Sequence, residues 1–340
     1  MLQARREENI SEDALFVFYI TDIDKLKEIL NYLKFMVAID KDYSAVAVDC
    51  EGTILDTAPE DSMIELLVKI LKSDKDLAMI TGGWLKYIEE HVILKLKQHP
   101  WVIQNEEALE HIHVYYSGGA IGYNVGTEEE YYRKEFPDAL RKQAARLFTG
   151  NPCLVCEQPE WHAYFGQTKY LGALSLSESS LLIFTPYVIT VVPEDKSLVK
   201  QYQGIIKQLV INYGLKLQVK SSNITVEIIP EGVNKGLAVL DLAKRMGVGV
   251  NAIAKIADRG DSEGNDFEFL REENSFSVGQ GDESNPNQIN IPLITGLTGP
   301  EATAWLIERL LEKRYIRDTN VEFTEEPDGS VYLECFDEKI

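Results

Sequence analysis

The stretch Val46-Ala47-Val48-Asp49-Cys50-Glu51-Gly52-Thr53 decides the fold predicted for this chain. A short apolar run ends in two carboxylates, Asp49 and Glu51, on a turn that contains Gly52. Side chains at positions i and i+2 share one face of a strand, so both carboxylates can point into one cavity. Such a pair suits phosphoryl transfer, because one carboxylate attacks, the other handles a proton, and a divalent cation offsets their repulsion.

Three further segments place polar groups in comparable positions. Thr81-Gly82-Gly83 follows a second apolar strand pattern, a helix pattern opens near Lys235, and residues 257–267 follow a third strand pattern with an acidic loop. An open α/β sheet places its ligand site at the carboxyl ends of its strands. The sequence therefore predicts that a carboxylate, a hydroxyl, an ammonium group and an acidic loop converge at one edge of a sheet.

Each segment also has a structural interpretation. Asp49 and Glu51 fit a solvated surface turn, and Thr81 fits an ordinary strand-ending turn. Lys235 fits a solvated position in the first turn of a helix, but the helix dipole disfavours a cation there. Because all four segments occur together and in strand context, we favour the functional interpretation for each of them.

Composition limits the classes of partner. The chain has 340 residues, 45% of them hydrophobic, which suits two domains or one domain with a large insertion. It carries 34 Lys and Arg against 55 Asp and Glu, a formal charge of −21. This acidic surface argues against nucleic acid and against a membrane as partners. Four scattered cysteines and a charged stretch at residues 1–11 without a signal pattern lead us to expect a cytoplasmic protein.

The order of strand and helix patterns predicts the domain organisation. Strands and helices alternate between residues 46 and 116, which indicates parallel βαβ units in a sheet covered on both faces. Between residues 180 and 230, β-branched strands flank one helix, which indicates an antiparallel sheet with helices on one face. We therefore expect an α/β core of residues 1–150 and 231–340 with an inserted α+β domain of residues 151–230.

Three local predictions accompany this organisation. Residues 127–150 read as one charged helix, and residues 267–271 as the beginning of another. The polar, glycine-rich stretch 279–290 reads as a solvated loop.

The four motifs, in this order, resemble the haloacid dehalogenase superfamily of phosphohydrolases. They look most like the branch with a large (C2-type) cap, which includes sucrose- and trehalose-phosphate phosphatases and phosphomannomutase-like proteins. The resemblance spans residues 46 to about 270. It implies a Rossmann-like parallel-sheet core, with the inserted α+β domain of residues 151–230 as the cap.

The resemblance also implies a role for each motif residue. Asp49 matches the nucleophile that forms an aspartyl-phosphate, and Glu51 matches the acid/base. Thr81 and Gly82 match the positions that bind the phosphoryl group, and Lys235 matches the cation that neutralises it. The family usually has Asp where this chain has Glu51; an error of about 1 Å in placing a catalytic group can lower the rate ~100-fold. A Glu at this position is tolerated in the enolase-phosphatase branch.

Magnesium is the cofactor that the resemblance implies. Its ligands would be Asp49, the backbone carbonyl of Glu51 and one acidic residue of the last motif, since Mg²⁺ prefers oxygen ligands. Three candidates fit the spacing of that motif. We favour Asp258, which directly follows the predicted strand, and keep Asp261 and Asp266 as alternatives.

These features predict a magnesium-dependent phosphatase that hydrolyses a small phosphomonoester, with a sugar phosphate favoured by the type of cap. The expected partner is a small phosphorylated molecule, and a homodimer stays open. Two alternatives also stay open: a sugar phosphomutase, and a catalytically silent protein that uses the same cleft for binding.

Overall fold

The structure is a computed structural model that describes residues 23–55, 61–149, 180–222 and 224–312, together with five strands outside these ranges. The strands are β1 (Leu2–Arg5), β2 (Val17–Ile20), β3 (Ala45–Val48), β4 (Asp76–Ile80), β5 (Ile112–Tyr116), β6 (Ile121–Asn124), β7 (Glu129–Arg133), β8 (His162–Phe165), β9 (Leu181–Phe184), β10 (Ile189–Val192), β11 (Leu217–Ser221), β12 (Val226–Pro230), β13 (Ile253–Arg259), β14 (Ser275–Gln280), β15 (Gln288–Asn290), β16 (Asn320–Glu325) and β17 (Val331–Phe336).

Ten α-helices are described along with these strands. They are α1 (Ile23–Ile39), α2 (Asp61–Lys72), α3 (Leu85–Ile88), α4 (Leu94–Gln98), α5 (Pro100–Gln104), α6 (Asp138–Thr149), α7 (Val199–Asn212), α8 (Lys235–Met246), α9 (Pro292–Thr295) and α10 (Gly299–Glu312). A π-helical turn, Glu89–Ile93, joins α3 to α4. No helix among the described residues is long and apolar enough to cross a membrane.

A large sheet contains the segments that carry the motifs. Its strand order is β15-β14-β13-β3-β4-β5-β6-β7, and the strands from β15 to β5 pair in parallel. β6 and β7 add an antiparallel edge. β3 lies between β13 and β4, with Ala45 opposite both Ile253 and Asp76. Every residue of β3 is buried, as a parallel sheet covered on both faces requires.

Alternate residues of β3 face two different hydrophobic clusters. Val46 and Val48 belong to the larger cluster, together with residues of α1, α2 and α10. Ala45 and Ala47 belong to a smaller cluster with Leu242 and other residues of α8. Small side chains allow a helix to approach a sheet closely. The alternation therefore lets α8, which begins at Lys235, lie near the central strand.

The second sheet is antiparallel, with the order β11-β12-β10-β9-β8. One face packs against α6 and α7 through a cluster that includes Phe148, Ile206, Val226 and Ile228. A mainly parallel α/β sheet beside an antiparallel α+β unit confirms the predicted fold class. The boundaries at residues 150 and 231 stay a prediction; α6, which precedes the first of them, packs on the second sheet.

Three local predictions were wrong in whole or in part. Within residues 127–149, Glu129–Arg133 form strand β7 and Asp138–Thr149 form helix α6; residue 150 lies outside the described residues. Pro137 explains the break, because the residue before a proline avoids helical backbone. Residues 267–271 form turns and no helix. The stretch 279–290 contains the end of β14 and all of β15, where Ile289 is buried beside its parallel neighbour.

Candidate active site

The four motifs meet at the carboxyl edge of the large sheet. Asp49 follows β3, Thr81 follows β4, and Asp258 is the next-to-last residue of β13. These three strands are adjacent and parallel, so their carboxyl ends point to the same edge. Lys235 begins α8, whose N-cap Asn234 accepts a hydrogen bond from the backbone N–H of Leu237 at 3.0 Å. The cap fixes where the helix starts and hence where the lysine lies.

Lys235 joins two of the predicted site residues. Its Nζ lies 2.6 Å from Asp49 Oδ1 and 2.6 Å from Asp266 Oδ1, and all three side chains are at least 97% buried. Burial disfavours the ammonium form, but the charges of Asp266 and Asp49 outweigh it and hold the pKa of Lys235 well above its usual value. The two carboxylates, not the helix dipole, therefore explain a cation in the first turn of α8.

Asp49 lies in a site with an excess of negative charge. Burial raises the pKa of Asp49 well above its usual value, and the nearby charge of Asp266 adds to this, while Lys235 opposes it. One ammonium group faces more than one carboxylate, so the cluster is not electrically balanced by its own side chains. A bound cation would restore that balance.

Asp258 completes a group of three carboxylates. One oxygen from each of Asp49, Asp258 and Asp266 lies within 4.8 Å of the other two. Burial, followed by the charge of Asp266, raises the pKa of Asp258 to about 7. Gly52 makes room for this group, since it adopts a φ of 79° and a Cβ built on it would lie 2.5 Å from Asp258 Oδ2. The buried, all-oxygen donor set fits a hard divalent cation such as Mg²⁺.

The contacts after β13 distinguish the three candidate metal ligands, Asp258, Asp261 and Asp266. Asp261 Oδ1 accepts a hydrogen bond from Arg259 Nε at 2.9 Å, and a quarter of its side chain is exposed. Asp266 folds back into the site, where Oδ2 accepts from the backbone N–H of Arg259 at 3.1 Å. The structure thus brings Asp258 and Asp266 together with Asp49, and leaves Asp261 outside this group.

Thr81 orients Glu51. Its Oγ1 donates a hydrogen bond to Glu51 Oε2 at 2.7 Å and accepts one from the backbone N–H of Gly83 at 2.7 Å. Both the donor and an acceptor capacity of the threonine hydroxyl are used in this arrangement. Glu51 is partly buried, and its Oε1 lies against the turn after β4, where a Cβ built on Gly83 would be 2.6 Å away, whereas Asp49 is fully buried. The two carboxylates thus have different environments at the same sheet edge.

One more residue beside these groups, Glu227, was missed by the sequence reasoning. It lies on β12 of the second sheet and is only 5% exposed. A Cβ built on Gly82 would overlap Glu227 Oε1 and lie 3.2 Å from Oε2. Burial raises the pKa of Glu227 to about 7, with Lys235 opposing this and Glu51 adding to it. The available signal was a single acid inside the otherwise apolar run Val226–Pro230, close before Lys235.

The comparisons with known proteins agree with this geometry. The family model of haloacid dehalogenase-like hydrolases matches residues 46–288, well over half of the chain. The chain therefore belongs to the haloacid dehalogenase-like hydrolases, and the resemblance inferred from the motifs is confirmed. No curated protein sequence matches it significantly.

Solved structures share the fold at low identity. The N-terminally truncated IMP-nucleotidase of Plasmodium falciparum is 12% identical, with a TM-score of 0.58, over 86% of this chain and 76% of the nucleotidase. A haloacid dehalogenase-like hydrolase from Bacteroides thetaiotaomicron is 15% identical, with a TM-score of 0.52, over 79% of this chain and 100% of that protein. At such identities the likeness shows the fold alone.

Proposed function

We propose that this chain is a magnesium-dependent phosphatase that hydrolyses a small phosphomonoester, a sugar phosphate, through an aspartyl-phosphate on Asp49. The observation that carries this proposal is the buried contact of Lys235 with both Asp49 and Asp266, with Asp258 beside them. An ordinary structural ion pair needs one carboxylate for one ammonium group. The surplus of buried carboxylates at a sheet edge is typical of a site that binds a cation and a phosphate together.

In the first half-reaction, Asp49 attacks the phosphorus atom of the substrate. A bond forms between an Asp49 carboxylate oxygen and phosphorus, and the bond from phosphorus to the ester oxygen breaks. Glu51, in its protonated form, gives its proton to the departing oxygen. Lys235 holds Asp49 in place, because its ammonium group lies 2.6 Å from Asp49 Oδ1. The same positive charge offsets the charge of the phosphoryl group.

In the second half-reaction, the Glu51 carboxylate takes a proton from a water molecule. The water oxygen bonds to phosphorus, and the bond between phosphorus and Asp49 breaks, which returns both carboxyl groups to their starting states. The hydrogen bond from Thr81 keeps Glu51 directed at the site. The backbone N–H of Gly82 follows Thr81 in the same turn and would hold a phosphoryl oxygen.

Asp49, the carbonyl of Glu51 and Asp258 would hold Mg²⁺, and Asp266 would stay with Lys235. When bound, the cation would offset the repulsion among the carboxylates and polarise the phosphoryl oxygens. In this arrangement Asp266 positions the lysine, because its second oxygen is already held by the backbone of Arg259.

The decisive experiment is hydrolysis of p-nitrophenyl phosphate with and without Mg²⁺ by the wild type, Asp49→Asn and Asp40→Asn. Asp40 is an exposed acid on the surface and serves as the matched control. We expect magnesium-dependent hydrolysis by the wild type and the control, and a loss of at least about 1,000-fold in Asp49→Asn. Equal rates in all three proteins would contradict the proposal and favour a silent binding protein.

A phosphate-release screen then identifies the substrate class. The panel contains hexose phosphates, pentose phosphates and nucleoside monophosphates, including IMP. Conversion of a hexose 1-phosphate to its 6-phosphate without phosphate release would favour a phosphomutase instead.

A further inference from the structure

A cavity lies between helix α1 and the stretch of chain from Asp282 to Leu293. Its volume is about 430 Å³, within the range of about 300–1,000 Å³ that is common for small-molecule sites. The residues that line it come from α1, from the turn before β15, from β15 itself and from α9. None of these residues belongs to the four motifs, so the cavity is distinct from the candidate active site.

Two contacts fix the walls of this cavity relative to each other. Asn31 of α1 is only 7% exposed, and its Nδ2 donates to the backbone oxygen of Asn290 at 2.7 Å. Its Oδ1 accepts a hydrogen bond from the backbone N–H of Asn290, also at 2.7 Å. Lys27 Nζ lies 2.7 Å from Glu283 Oε2 and forms a second link between α1 and the turn. The walls are therefore preorganised, which lowers the cost of binding a ligand.

The cavity carries charges of both signs. Two lysines and three acids line it, and one pair of these, Lys27 and Glu283, neutralises itself. Lys34, Glu28 and Asp282 have no ion-pair partner within the described part of the chain. An anion would meet two carboxylates for each free ammonium group, and a simple cation would leave Lys34 unpaired. A small zwitterion can pair with both kinds of charge.

The carboxamide of Asn290 also needs a donor. Its Oδ1 is enclosed but has no hydrogen-bond partner in the part of the chain that the structure describes. Buried polar atoms are normally paired, and an unpaired one is unfavourable. Asn290 lines the cavity, so a donor on a bound ligand would satisfy this oxygen. An ammonium group has three donors and can serve this oxygen and a carboxylate at the same time.

Part of the cavity wall is apolar. Leu30 of α1 is 48% exposed and Leu293 of α9 is 46% exposed, and both line the cavity. Covering exposed leucine surface is favourable, because apolar area leaves water. An inorganic ion or a polyol offers no apolar surface for this purpose. The wall therefore favours a ligand with an apolar side chain beside its charged groups.

We propose that this cavity binds a small zwitterion with an apolar side chain, namely an apolar α-amino acid such as leucine. The ammonium group of the ligand donates to Asn290 Oδ1 and pairs with Glu28, and the carboxylate pairs with Lys34. The apolar side chain packs against Leu30 and Leu293. The proposal goes beyond the phosphatase function and does not depend on it, since no motif residue takes part.

Calorimetry on the full chain tests the class of ligand and needs no turnover. The probes are L-leucine, 4-methylpentanoate, which lacks the ammonium group, 3-methylbutylamine, which lacks the carboxylate, and L-serine, which lacks the apolar side chain. We expect a Kd below about 1 mM for leucine and at least about tenfold weaker binding of the other three. No binding of leucine at about 10 mM would overturn the proposal. Equal affinity for any of the other three probes would overturn it as well.

A substitution tests whether leucine binds in this cavity. Lys34 is partly exposed, so Lys34→Met should leave the fold intact, and Lys69→Met, an exposed lysine on α2, is the matched control. We expect Lys34→Met to weaken leucine by about tenfold or more, and to keep or strengthen the binding of 3-methylbutylamine, which has no carboxylate. Lys69→Met should keep the wild-type Kd for both probes. An unchanged Kd of leucine in Lys34→Met, or an equal loss for both probes, would overturn the proposed site.

Discussion

Replacing Lys235 with methionine should destabilise the protein far more than the loss of an ordinary lysine. The substitution keeps the length of the side chain but removes an ammonium group that makes two contacts of 2.6 Å with buried carboxylates. Removing one partner of a buried ion pair costs about 3–5 kcal/mol, because the remaining charge is left without compensation. Two carboxylates lose their partner here, so we expect about 4–5 kcal/mol in the absence of divalent cations.

The cost should fall when Asp49 is already neutral. Asp49→Asn removes one of the buried charges, and the raised pKa of Asp49 shows that the site disfavours that charge. Asp49→Asn should therefore keep or raise the stability of the protein while it abolishes activity. In this background Lys235→Met should cost about 2 kcal/mol less than in the wild type, a coupling typical of residues in direct contact.

Urea unfolding in EDTA of the wild type, both single variants and the double variant measures this coupling. Lys86→Met is the matched control, because Lys86 is an exposed lysine with a surface ion pair to Glu90 at 3.8 Å. We expect the control to stay within about 0.5 kcal/mol of the wild type. If Lys235→Met cost under about 1 kcal/mol, or if the two substitutions were additive, the buried charge cluster would not act as described.

Three further predictions concern the cap contact, the metal ligand and a buried lysine. Gly82→Ala should lower kcat/KM for p-nitrophenyl phosphate at least about tenfold, because the added methyl overlaps Glu227; a wild-type rate would contradict this contact. Asp258→Asn should raise the Mg²⁺ concentration for half-maximal activity by about tenfold or more, whereas Asp261→Asn should not, and the reverse result would restore Asp261 as the ligand. Burial lowers the pKa of Lys255 to about 8 from 10.5, so the unfolded chain binds more protons between these pH values and stability should rise with pH there. Relative to Lys255→Met, the unfolding free energy of the wild type should increase by about 2 kcal/mol from pH 7 to 9.5, and a flat difference would show that the ammonium group is not desolvated.

The sequence predicted where the main motif residues lie, because these residues follow the ends of strands. A buried apolar run that ends in Asp49 leaves few alternatives to a central parallel strand, and β3 is such a strand. The helix that begins at Lys235 was equally readable, since Asn234 is a good N-cap and apolar spacing follows it. Both the strand before Asp49 and the start of the helix at Lys235 are determined by a few neighbouring residues, so the sequence pattern is enough to predict them.

Features that depend on how distant segments meet could not be predicted. Spacing alone allowed Asp258, Asp261 or Asp266 as a metal ligand, because only the closed loop turns Asp266 inward and pairs Asp261 with Arg259. Glu227 was missed for the same reason. A strand buried on both faces shows no alternation that would reveal which face meets the core, and β12 is buried throughout.

The pairing of β3 with β13 has a consequence for synthesis of the chain on the ribosome. Ala45 lies opposite Ile253, so one edge of the nucleophile-bearing strand lacks its partner until more than 200 further residues have been translated. At ordinary elongation rates this takes about 10–40 s, during which an apolar strand edge stays open to wrong pairing. We expect nascent chains that stop before Ile253 to depend on chaperones, and catalytic competence to arise only after Asp266 has been translated.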